Sequence, residues 1–161
     1  MTSEKVANLW LKSAEYLKSK GVNFESINLD SVPHSAQDVV EATECSLSNV
    51  LKTLLFIADR NPVITIVSGD KRADMAKLAK LFPNANIRMA KPDEVLNLTG
   101  YKVGEVSPFG IENIEDRIID KKVLDLDYVI IGSGQGNLLY KLSKEELTKA
   151  WEGTTEELVQ E

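Results

Sequence analysis

The sequence predicts an α+β fold, a mixed domain wrapped round one sheet, and three observations carry that expectation. Two strongly apolar segments, "NVLKTLLFIAD" and "PVITIVSGD", stand back to back in the middle of the chain. Segments of helical period lie before and after them, and a late run, "DRIIDKKVLDLDYVIIGSGQGNLLYKLS", supplies two or three further strands. Strands that dominate the middle, with helices between and outside them, are the pattern of elements packed around a shared sheet.

Each element follows from its local pattern. Residues 4–20 carry Val6, Leu9, Trp10, Ala14 and Leu17 at helical spacing, and Gly21 supplies a stop. "VNFESINLD" alternates as a strand until Pro33 ends the run, and Ser35 caps a short helix through Glu44, with Asp38 in its first turn. The two apolar segments, separated by Arg60, Asn61 and Pro62, read as a hairpin through the middle of the sheet, which Gly69 and Asp70 terminate. Next, "KRADMAKLAKLF" places Met75, Leu78, Ala79 and Phe82 on one helix side, before the stop at Pro83 and Asn84. "ANIRMA" is a short strand, and residues 92–98 form a helix with Pro92 in its first turn and Gly100 after its end. "GYKVGEVSPFG" is a loop by composition. Ser143 and Glu146 have capping-box spacing for a last helix through Trp151, and the tail after Gly153 is expected to add one more turn or fray.

Composition narrows the function classes. With 161 residues, 43% hydrophobic and 27% charged, the chain suits one domain over residues 1–161 with a single core. No run approaches the ~18 apolar residues of a membrane span, and the N-terminus lacks a signal-peptide apolar block, so a soluble, cytoplasmic protein with no membrane partner is expected. The formal net charge of −6 argues against a broad nucleic-acid footprint, so an RNA ligand would be gripped locally. "GDKRADMAKLAK" offers Lys71, Arg72, Lys77 and Lys80 for that, although such a run ordinarily is a solvated helix face. One histidine and one cysteine, His34 and Cys45, show no metal-ligand spacing, so neither metal nor cofactor is expected; His34 reads as a turn residue.

Three stretches bear on a site. Lys52 interrupts "NVLKTLLF", where it either lays its methylenes on apolar surface with its head in water or serves as a cation in a pocket for an anionic ligand. "GSGQG", residues 132–136, follows an apolar strand but has neither dinucleotide nor P-loop spacing; it reads as a glycine-permitted hairpin or as a close backbone approach to a ligand. "TGYKVGEVSPFG" holds Gly100, Gly104, Gly110 and Pro108, and it is longer and more apolar than a plain connector.

Taken together and in order, "KTLLF", "VSGDKRADMAKLAKLF", "MAKPDEVLNLTGYKVGEVSPFG" and "GSGQGNLL" resemble the YbaK/ProX-type aminoacyl-tRNA editing domains, which occur free-standing and inserted in bacterial prolyl-tRNA synthetases. The resemblance spans roughly residues 30–150. It implies a mixed β-sheet or barrel-like core with surrounding helices, and hydrolysis of the ester that joins a wrong amino acid to a tRNA 3′ end. It implies catalytic roles for Lys52 and Gly104, and substrate contacts from Thr53, Ser107, Pro108, Gly134 and Gly136. The implied partners are aminoacyl-tRNA, in particular tRNA(Pro) carrying alanine or cysteine, and a synthetase such as prolyl-tRNA synthetase. The alternative is a non-catalytic module of the same fold that binds aminoacyl-tRNA or a synthetase. Two departures stand out. Glu105 occupies a position where many relatives have a second glycine, and a carboxylate at a pocket rim either repels RNA or recognises a free α-amino group. The late glycine-rich segment offers Ser133, Gln135 and Asn137 where some relatives place histidine or aspartate.

Overall fold

In the computed structural model the described residues are 10–161, and they form five α-helices and eight strands in two sheets. The first helix, α1 (Leu11–Ser19), turns Ala14 and Leu17 into the core and ends before Gly21 at φ +67°. Val6 and Leu9 of the expected longer helix lie outside the described residues. Strand β1 (Glu25–Asn28) leads to α2 (Ala36–Thr43), whose cap is Ser35: its hydroxyl oxygen accepts the Asp38 N–H. Glu44 closes α2 in the left-handed region at φ +58°.

Strands β2 (Leu51–Ala58) and β3 (Asn61–Ser68) form the central antiparallel hairpin. The connection is shorter than expected. Asp59, at φ +58°, turns the chain with Arg60, so Asn61 and Pro62 belong to β3. Pro62 is tolerated because pairing to the neighbouring strand starts only at Val63, so its missing N–H breaks no bond on that side. Helix α3 (Met75–Leu81) is capped by Asp74, whose carboxylate accepts the N–H groups of Ala76 and Lys77. Leu78 is buried as expected, but Met75, on the first turn, is 41% exposed. Strand β4 (Ile87–Met89) and α4 (Pro92–Thr99) follow, and Gly100 ends the helix at φ +80°.

Three more strands arise from the late run: β5 (Asp116–Asp120), β6 (Tyr128–Gly132) and β7 (Leu138–Ser143). Helix α5 (Lys144–Ala150) is capped by Ser143, while Glu146 accepts the backbone N–H of Asn23 instead of completing a capping box. The tail neither frays nor turns. It forms β8 (Thr154–Glu156), parallel to β5, and sends Leu158 and Val159 into the core. Buried Asp120 holds it there by accepting the Leu158 N–H at 2.8 Å.

The strands are divided between two sheets, not gathered in one. The order β4-β2-β3-β5-β8 makes the larger sheet and β1-β7-β6 the smaller, joined by a parallel bridge from Val50 to Ile130. Period-two alternation sorts β2 between two cores. Leu55 and Ile57 pack under α4 and the following loop, whereas Leu54, Phe56 and Ala58 pack under α3 and the tail. A third core joins α1 and α5 to both sheets, and α2 covers Val50, Ile130 and Leu139.

Candidate functional site

A gap in the β2 ladder sets the site. Strand β4 pairs with β2 only at Phe56, Ile57 and Ala58, with Ala90 adding one N–H to the Leu55 carbonyl. Strand β6 meets the chain just before β2, at Val50. Because Leu55 turns its peptide groups toward β4, the period of two turns those of Thr53 toward the same open side. The stretch between is the floor of a cavity of about 560 Å³, lined by residues 50–55 of β2 and its approach. Val32, His34 and the start of α2 close one side; Val103, Gly104, Glu105 and Val106 close another; Gly132, Gly134 and Gly136 complete it. The volume suits a small ligand, and the lining is largely aliphatic.

Lys52 is among the lining residues, yet alternation puts its side chain on the α3 face of the strand with Leu54 and Phe56, and Nζ donates at 2.6 Å to the carbonyl of Lys71, a residue outside the lining. Burial pulls its pKa down; the Arg72 charge acts the same way, and Asp70 opposes them. The lysine is therefore half-buried and tethered, and it is the one lysine among the described residues lining the cavity.

Gly104 lies opposite. The Glu105 N–H closes a turn onto the Lys102 carbonyl at 2.9 Å, with Gly104 at φ +82° in the position that a type II turn reserves for glycine. Nothing lies within 4 Å of where its Cβ would be, so conformation, not crowding, selects glycine here. Thr53, Gly134 and Gly136 also line the cavity. Ser107 and Pro108 do not: both are buried behind the wall, and the Ser107 hydroxyl oxygen accepts the Phe109 N–H. Their place is in holding the loop.

"GSGQG" is the β6–β7 hairpin, pressed against the Gly104 loop. A Cβ on Gly134, at φ +102°, would stand 2.8 Å from Cζ of the Tyr101 ring, and one on Gly136 would stand 2.8 Å from the Glu105 carboxyl carbon. Ser133, fully buried, donates to the Leu138 carbonyl at 2.5 Å and accepts the Gln135 N–H, while its own carbonyl accepts Ser13 Oγ–H from α1. The hairpin is thus locked from below. Tyr101, 3% exposed, has the one buried side-chain polar atom without a partner among the described residues, and burial raises its pKa to about 12.

His34, read from the sequence as a turn residue, follows Pro33 at the cavity edge, its N–H given to Asp38. Cys45 lies outside the lining and accepts the Thr43 hydroxyl. No group of three His, Cys, Asp or Glu side chains suited to a metal is present among the described residues, and no helix among them is long and apolar enough to cross a membrane. A second depression, about 540 Å³, is lined by Lys77, Lys80, Lys121 and the Glu156–Glu157 pair, with none of the glycine loops near it.

The roles of α2, His34, Val32 and Tyr101 in building this site left no signal in the sequence. Val32, His34 and α2 belong to one stretch and Tyr101 to another, and neither has a spacing that ties it to Lys52 or Gly104.

Comparison with known proteins gives a consistent picture. Residues 32–150 match the family described as aminoacyl-tRNA editing domain. A proline–tRNA ligase of Lactobacillus johnsonii is 28% identical over 121 residues, which are 73% of this chain and 21% of the ligase; the chain therefore spans about a fifth of that relative's length. The uncharacterized protein YwhH of Bacillus subtilis is 31% identical over 71% of this chain and 73% of its own length. Among solved structures, the hypothetical protein APE2540 superposes with a TM-score of 0.85 at 26% identity, covering 92% of this chain and 99% of that one. Another, described as a "putative trans-editing enzyme for prolyl tRNA synthetase", superposes with a TM-score of 0.83 at 23% identity, over 94% and 97% of the two chains, and shares the fold.

Proposed function

The chain belongs to the aminoacyl-tRNA editing domain family, and from that premise we propose that it is a hydrolase acting in trans on mischarged aminoacyl-tRNA, with alanine or cysteine on tRNA(Pro) as the substrates to try first. One observation carries the reading. Lys52 and Gly104, from distant parts of the sequence, line the same cavity, and its floor is a strand edge left unpaired by the described residues.

An aminoacyl ester is already activated, so the site has to position it and stabilise charge. The open peptide groups of Thr53 hold the amino-acid end by hydrogen bonds of the kind that a neighbouring strand would make. The Lys52 ammonium holds the 3′-terminal phosphate or ribose. Water attacks the ester carbonyl carbon, and backbone N–H groups of the Gly104 turn other than that of Glu105, which the Lys102 carbonyl already holds, face the oxygen on which negative charge develops. Collapse breaks the bond to the ribose oxygen, which takes up a proton. The products are the free amino acid and a tRNA with its 3′-terminal diol restored. A water or the neighbouring ribose hydroxyl carries the proton, so no side-chain nucleophile is required.

A second reading keeps the fold without turnover, as a module that binds aminoacyl-tRNA or a synthetase. The tether from Lys52 to the Lys71 carbonyl favours it, because the ammonium is already engaged, and the net charge of −6 favours its synthetase-docking form, which does not depend on phosphate contacts. Incubating the protein with tRNA(Pro) charged with alanine or cysteine, and with a wider panel of serine and threonine esters, separates the two. Ester loss that falls by about a hundredfold or more in Lys52→Ala, the scale of losing one charge-stabilising group, supports the hydrolase. A panel that stays charged while tRNA or synthetase still binds supports the module.

A further inference from the structure

We propose that Glu105 is a specificity-determining residue whose carboxylate receives the α-ammonium of the bound aminoacyl group, an inference that rests on the aminoacyl-end reading of the cavity. Four observations converge on it. Glu105 is half-buried in the cavity wall, and it is the one carboxylate among the described residues that line the cavity. Among the described residues no hydrogen bond or ion pair engages that carboxylate, whereas Lys52, the cation of the same cavity, is already bonded to Lys71. The carboxyl group lies against Gly136, where a Cβ would collide with it, so the hairpin leaves this space for the acid. The turn through Gly104 fixes the residue's backbone by the bond from its N–H to the Lys102 carbonyl.

Half-buried beside Gly136 in the cavity wall, the Glu105 carboxylate has no hydrogen-bond or ion-pair partner among the described residues. A ligand ammonium supplies one. The substrate carries such a group on the carbon next to the ester carbonyl, and negative charge on the phosphate beyond the ribose. One cation and one anion in a single cavity match those two ends, and they orient the ester between them. Of the two roles open to a rim carboxylate, repulsion of RNA requires a charge turned outward toward phosphates; this one is turned onto Gly136 of the hairpin, in the cavity wall.

The test uses tRNA(Pro) ending in 3′-amino-3′-deoxyadenosine, acylated through a stable amide with alanine or with lactate. Lactate replaces the ammonium by a hydroxyl of nearly the same size, and the amide prevents turnover. Glu105→Gln keeps the shape of the side chain and removes its charge. Wild type is expected to bind the alanyl form about tenfold to a hundredfold tighter than the lactoyl form, as a charge-assisted hydrogen bond provides, and Glu105→Gln to bring the two within about threefold. A preference of the same size in Glu105→Gln, or no preference in wild type, overturns the inference. Preferential binding by wild type that is lost in Glu105→Gln, with no hydrolysis of ester-linked substrates, leaves Glu105 in its role and removes the hydrolase. If neither form binds wild type, the cavity does not take an aminoacyl end and both readings fall.

Discussion

Replacing Gly134 with alanine should destabilise the protein by about 2–6 kcal/mol, through two separable effects. The backbone at φ +102° is one that residues with a Cβ rarely adopt, at a cost of about 1–3 kcal/mol. The new methyl would also stand 2.8 Å from Cζ of the buried Tyr101 ring; overpacking of this kind costs about 1–3 kcal/mol. For a chain of 161 residues each kcal/mol lowers Tm by roughly 2–4 °C, so the drop should be about 4–24 °C. Thermal and urea unfolding would measure it. The two effects are told apart in a Tyr101→Leu background, where the smaller side chain removes the collision and leaves the backbone term, giving a coupling of about 1–3 kcal/mol. A Tm within 2 °C of wild type, on the roughly 2–4 °C per kcal/mol scale, or an undiminished loss in the Tyr101→Leu background, would refute the account of why glycine stands at this position.

Tyr101→Phe removes a buried hydroxyl that has no partner among the described residues, so it should leave stability unchanged or raise it by up to about 2 kcal/mol; a clear loss would show that the hydroxyl is hydrogen-bonded after all. Asp120→Ala should cost about 2–4 kcal/mol, because it leaves the N–H groups of Leu158 and Lys122 unpaired and frees the tail, and protease cleavage after β8 should become faster. Glu94, held down to about pKa 2 by its two bonds to Arg88 and by the Lys91 N–H, contributes stability that is complete above its ordinary value of 4.5 and disappears as pH falls toward 2. The Tm difference between wild type and Glu94→Gln should therefore shrink across that window; a difference independent of pH would sink the assignment.

The sequence by itself determined the local elements where a physical signal is concentrated in a few neighbouring residues. Ser35 and Asp38 mark the start of α2, Pro92 and Gly100 bracket α4, and the apolar runs of β2 and β3 announce the central hairpin. The ordered motifs around Lys52, Gly104 and "GSGQG" were legible as a set, and all three meet at one cavity. Where the signal is weak the reading stopped short. "TTEELVQE" has no strand pattern, yet its first three residues are held as β8 by β5 and Leu158 by the Asp120 carboxylate, contacts that lie far away in sequence. The separation into two sheets joined at Val50, the pairing of β4 with only half of β2, and the resulting open edge at Thr53 were likewise decided by tertiary packing. So was the distinction between Gly104, free at the rim, and Ser107 and Pro108, buried behind it. Residue type and spacing specify which conformation a short segment prefers; which of its atoms remain without a partner depends on segments that arrive from elsewhere in the chain, and among the described residues the Thr53 peptide groups and the Glu105 carboxylate, both at the cavity, are such atoms.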